Sequence, residues 1–84
     1  MLQLLYFARL REVLATAQEE IALPEDVCDV QGLKHWLARR GGEWQETFAG
    51  SRPLRAAVNQ ELASNADAIK DGDEIAFFPP VTGG

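Results

Sequence analysis

Asp71-Gly72-Asp73-Glu74-Ile75-Ala76-Phe77-Phe78-Pro79-Pro80-Val81-Thr82-Gly83-Gly84 is the stretch on which the fold turns. Lys70-Asp71-Gly72-Asp73 is a turn signal, with Gly72 free to take positive φ. Glu74 to Phe78 then reads as a strand, with Ile75 and Phe77 on one face and Ala76 and Phe78 on the other. A strand that is apolar on both faces belongs inside a sheet, not at its rim. Pro79-Pro80 ends it, because proline cannot donate to a ladder, and the pair stiffens the base of the C-terminal tail. Val81 and Thr82 lead to Gly83-Gly84, which lack a Cβ and can lie extended in a channel too narrow for other residues. The expected reactive group at such a tip is the terminal carboxylate of Gly84.

A central last strand needs partners. Leu2, Leu4 and Tyr6 alternate with Gln3, Leu5 and Phe7, a second strand that is apolar on both faces. Leu10, Val13 and Leu14 fall at helical spacing and predict a short helical turn. Glu19 to Leu23 reads as a strand with Ile21 and Leu23 inward, ended by Pro24. Asp29 is a good N-cap for the main helix, whose stripe is Val30, Leu33, Trp36 and Leu37. Lys34, His35, Ala38 and Arg39 are expected to face away from that stripe. Arg39 and Arg40 suit the last turn, and Gly41-Gly42 supplies a left-handed stop. Trp44 and Phe48, four apart, predict a short second helix over one end of the core. Arg55 to Asn59 forms a third strand, turning at Asn59-Gln60 into Glu61-Leu62-Ala63.

A sheet of this order must bury one face against its helix, which predicts an α+β fold. The connection through the helix is long enough for a crossover, so the first and last strands can pair in parallel at the centre. That is the β-grasp, ubiquitin-like layout: a mixed sheet, one main helix and a C-terminal Gly-Gly tail. The expected division is a single domain over residues 1–78 and a functional tail over 79–84.

Composition narrows the function classes. Eighty-four residues make one small core and leave no room for a deep enclosed active site. The formal charge of −5, with eight basic residues scattered along the chain, argues against nucleic acid. No stretch approaches the length of a membrane helix, and the N-terminus lacks the flanks of a secretory signal, so a cytoplasmic protein is expected. One cysteine excludes an internal disulfide and any metal site built on several thiolates.

The segment 71–84 closely resembles the C-terminus of the small, sulfur-carrying subunit of molybdopterin synthase. Leu5-Tyr6-Phe7-Ala8-Arg9-Leu10-Arg11-Glu12 resembles that family's opening strand and turn, and Ala57-Val58-Asn59-Gln60 its middle strand. Residues 16–27 and 41–53 carry little of the likeness. The resemblance implies a carrier cycle. A ubiquitin-activating-like adenylyltransferase would use ATP to adenylate Gly84, and a sulfur donor would convert the anhydride to a thiocarboxylate. The loaded tail would then give its sulfur to a cyclic pterin monophosphate inside the large subunit, within a 2:2 heterotetramer. No permanently bound cofactor and no metal site are implied. Rival readings are a ubiquitin-like modifier, a thiamine-pathway sulfur carrier with the same tail chemistry, and an adaptor with an inert tail.

Parity also marks a candidate interface. If Leu2, Leu4, Tyr6, Ile75 and Phe77 face the helix, then Leu5, Phe7 and Phe78 lie on the opposite sheet face, and Leu62 can join them. An apolar patch there is expected to bind partners. Cys28 has no second thiol and is expected to be a small packing residue; His35 has neither triad partner nor ligand spacing. Trp36 and Trp44 are expected in the core rather than as stacking platforms, and Arg9, Arg11 and Lys70 on a solvated face.

Overall fold

A computed structural model describes residues 1–50 and 53–80. In chain order it contains β1 (Leu2–Tyr6), α1 (Arg9–Leu14), β2 (Gln18–Ile21), α2 (Val30–Ala38), α3 (Gly42–Ala49), β3 (Arg55–Val58), β4 (Glu61–Ala63) and β5 (Glu74–Phe78). The strands form one sheet in the order β2-β1-β5-β3-β4. β1 and β5 run parallel at its centre, Leu4 beside Ile75 and Tyr6 beside Phe77, while β2, β3 and β4 join antiparallel. This is the expected α+β β-grasp.

The core forms where the inward row of the two central strands meets the helices. Leu2, Leu4, Tyr6, Ile75 and Phe77 pack with Val30, Leu33 and Leu37 of α2, all of them fully buried. Asp29 caps α2 as expected, its carboxylate accepting from the Gly32 amide at 2.7 Å. Gly41, at φ 80, reverses the chain and starts α3. α3 is the second helix expected from Trp44 and Phe48; nearly as long as α2, it shares the cover of the sheet with it. Its Phe48 meets Phe77 edge-on at 5.0 Å, and its Trp44 meets Tyr6 edge-on at 5.4 Å.

Three expectations change. Ala38 is buried, not solvent-facing, because α3 packs against that side of α2. β2 runs over 18–21 and stops before Leu23, although Ile21 and Leu23 still pack on the core from its flank. Cys28 is exposed; only its backbone is used, its carbonyl accepting from Ile69 at 3.0 Å. The neighbouring Val27 and Ile69 fill the interior instead.

Two polar networks fix the frame. Tyr6 Oη donates to Glu19 at 2.8 Å, and Glu19 receives both guanidinium nitrogens of Arg40 at 2.8 and 2.9 Å. Arg40 in turn lies over Trp44 at 4.4 Å and Trp36 at 5.2 Å, so the two indoles are half-buried platforms for a cation. Arg40 therefore serves a pairing role beyond the end of α2. The Arg40 hydrogen bonds hold the Glu19 carboxyl below its ordinary pKa, whereas burial, reinforced by Glu19, raises that of Tyr6. In the second network, Asn59 and Gln60 both adopt positive φ between β3 and β4. The Asn59 side chain donates to Asp73 and accepts from the Glu74 amide, each at 3.0 Å. That hairpin is thereby tied to the first residue of β5.

Candidate functional site: the outer sheet face and the root of the tail

All of the helical cover lies on the inward side, so the outer face of the sheet depends on its own side chains. Strand register places Gln18, Leu5, Ala76, Ala57 and Leu62 in one row across all five strands. From Leu5 to Leu62 that row is apolar. The parallel row of Glu20, Gln3 and Glu74 bounds it on one side. On the other side stand Phe7 and Phe78, with Arg55 in register beside Phe78.

The four residues picked out by parity come together here, to different degrees of exposure. Phe7 is 47% and Leu62 66% exposed, the exposed large hydrophobics among the described residues apart from Met1. Leu5 and Phe78 are half-buried. Ala57 and Ala76 carry the middle of the row, and nothing in the sequence singles them out, because a small side chain gives no signal of its own. Phe7 is held by its backbone: its amide donates to the Phe77 carbonyl at 3.1 Å, one residue past the end of β1. Ala8, at φ 55, then swings the chain into α1. This is a strained angle for a residue with a Cβ, and it sits beside the end of β5.

The root of the tail does not project freely. Pro79 and Pro80 are half-buried and form one wall of a cleft of about 480 Å³. Arg9, Leu10 and Val13 of α1 form another wall; Glu43, Glu46 and Thr47 of α3, with Pro53 and Leu54, complete it. The helical spacing of Leu10 and Val13 is visible in the sequence, but their place against the two prolines is not. Val81, Thr82, Gly83 and Gly84 lie outside the described residues. Arg9, Arg11, Lys70 and His35 are exposed. Among the described residues, no group of three potential metal ligands converges, and no helix is long and apolar enough to cross a membrane.

The site therefore consists of an apolar sheet face, with Ala76 buried at its middle, and an adjoining exit at which Pro79 and Pro80 are seated against the helices. The model of the ThiS family matches residues 4–84. The molybdopterin synthase sulfur carrier subunit of Escherichia coli is 42% identical over the whole of both chains, and that of Haemophilus influenzae 40%, again over the whole of both. Among solved structures, a putative molybdopterin converting factor subunit 1 from Pyrococcus furiosus superposes with a TM-score of 0.76 at 31% identity, covering 95% of this chain and 97% of that one. With the matched region spanning nearly its full length, this chain belongs to the ThiS family.

Proposed function

We propose that the protein is the sulfur carrier subunit of a molybdopterin synthase and supplies sulfur for the dithiolene of the molybdenum cofactor. The observation that carries this reading is where β5 leads. This strand at the centre of the sheet ends at Phe78 on the apolar outer face and continues through the seated Pro79-Pro80 into a sequence that finishes in Gly83-Gly84. The full-length relatives named as sulfur carrier subunits support the same reading.

The chemistry is that of the terminus. A carboxylate is a poor electrophile, so Gly84 must be activated. Its oxygen attacks the α-phosphorus of ATP on a ubiquitin-activating-like adenylyltransferase, pyrophosphate leaves, and an acyl-adenylate forms. A sulfur nucleophile then displaces AMP and leaves the thiocarboxylate. Glycine at both Gly83 and Gly84 keeps that carbonyl unhindered and the segment thin enough for a narrow channel. A partner can grip Val81 and Thr82 in the manner of an added peptide strand. In the large subunit, where the catalytic residues reside, the thiocarboxylate sulfur bonds to the cyclic pterin monophosphate, and water then cleaves the acyl C–S bond, which leaves the sulfur on the pterin and returns Gly84 to a carboxylate. A dithiolene needs two sulfurs, so two loaded carriers are consumed per product, consistent with a cytoplasmic 2:2 heterotetramer.

The described residues have a supporting role in this cycle. Pro79 and Pro80, seated against α1 and α3, reduce the conformational freedom lost when the tail enters a partner. The row from Leu5 to Leu62, with Phe7 and Phe78, docks the domain so that the tail is aimed. The test is reconstituted transfer: loaded carrier, large subunit and cyclic pterin monophosphate should yield dithiolene, and the chain lacking Gly84 should yield none. Product formed equally well by the shortened chain would overturn the proposal.

A further inference from the structure

A second, smaller cavity of about 270 Å³ opens on the helical side of the molecule, away from the outer sheet face. Gln31, Lys34 and His35 of α2 line it from one side, Thr47 from α3 and Asn65 from the loop after β4 from the others. In a chain with thirteen acidic residues, none of the lining residues is a carboxylate. The polar groups that face the cavity are a lysine ammonium, an imidazole, two side-chain amides and a hydroxyl, a set rich in donors.

Lys34 is the centre of this set. It is half-buried, and its Nζ donates to Asn65 Oδ1 at 2.7 Å, a neutral acceptor. Among the described residues it has no carboxylate partner. Burial without a counter-ion lowers its pKa. The Gln31 amide is anchored to the Asn65 carbonyl at 2.9 Å, which holds helix and loop in fixed relation across the cavity. Thr47 comes from the last turns of α3, whose carbonyls carry partial negative charge, so attraction for an anion has to come from Lys34, with His35 as a hydrogen-bonding partner.

We infer that this cavity is a binding site for a small tetrahedral oxyanion of the phosphate class, held by Lys34 and His35 with donors from Asn65, Gln31 and Thr47. An ammonium already partly stripped of water gains most from such a partner, because a charge-assisted hydrogen bond strengthens as solvent is excluded. The cavity lies away from the outer sheet face and shares Thr47 and Leu54 with the cleft at the root of the tail, and occupancy does not require the carrier reaction.

The experiment is a titration of the full chain with inorganic phosphate, monitored by amide chemical shifts, against sodium chloride at matched ionic strength. Saturable shifts confined to the residues around Lys34, Thr47 and Asn65 are expected with phosphate alone. Lys34→Gln should weaken binding about tenfold or more, and Lys34→Arg should retain it, since the guanidinium also serves oxyanions. Lys70→Gln removes an exposed lysine elsewhere and should change nothing. If Lys34→Gln loses the dispersed spectrum of a folded protein, His35→Gln, at an exposed position, provides the second reading and should weaken binding several-fold. Shifts that match those in chloride, or that persist undiminished in the folded Lys34 or His35 variants, would overturn the site.

Discussion

Leu62→Ala separates the folding and docking roles of the outer face. Leu62 is 66% exposed, so folding uses only about a third of its side chain. Complete burial of a leucine is worth about 1.5–3 kcal/mol, which leaves about 1–2 kcal/mol available to a partner and at most about 1 kcal/mol to the isolated domain. The substitution should therefore lower the unfolding free energy by less than about 1 kcal/mol and raise the Kd for the large synthase subunit roughly fivefold to thirtyfold. Phe7, at 47% exposure, should divide its effect more evenly between the two. Phe78 is half-buried, so Phe78→Arg removes contacts within the domain as well as at the interface. Urea denaturation and titration calorimetry on the same preparations give both numbers for Leu62→Ala. A Kd within about twofold of the parent, with the fold intact, would refute the docking role. A stability loss above about 2 kcal/mol would show that the side chain belongs to the core.

The polar networks and the exposed thiol lead to three further outcomes. Tyr6→Phe leaves the ring but removes the hydroxyl that donates to Glu19, and should cost about 1 kcal/mol in denaturant unfolding. Glu19 and Asp73 both have folded pKa values below their ordinary ones, through Arg40 and Asn59 respectively. Their stabilising effect is full above the unfolded values and is lost as pH falls through the folded ones, so thermal melts should decline progressively from about pH 4 downward, less steeply in Asn59→Ala. Cys28→Ala should leave both sulfur loading and stability unchanged, because the side chain is exposed; intact-mass analysis and a thermal melt check the two.

Much of the fold is legible in the sequence because its strongest signals are local. The two central strands declare themselves through apolar residues on both faces, and Asp29 and Gly41 bracket α2 by capping chemistry. The features that escape a sequence reading are set by contacts between elements. Ala38 sits on the polar side of the helical stripe, and only the packing of α3 against α2 buries it. Cys28 has the composition of a packing residue, but the backbone bridge beside it turns the thiol outward and sends Val27 and Ile69 inward. The Tyr6–Glu19–Arg40 chain joins residues from three separate segments and has no spacing that could announce it. The outer face is legible through parity at Leu5, Phe7 and Phe78, whereas the continuity of the row through Ala76 and Ala57 requires the register.

Gly84 is the group proposed to carry sulfur. Intact-protein mass spectrometry after incubation with the adenylyltransferase, ATP and a sulfur donor tests it most directly. The expected result is a mass increase equal to replacing one oxygen by sulfur, localised by fragmentation to Gly84 and absent from the chain lacking that residue. An unchanged mass, or a sulfur found on Cys28 instead, would contradict the account.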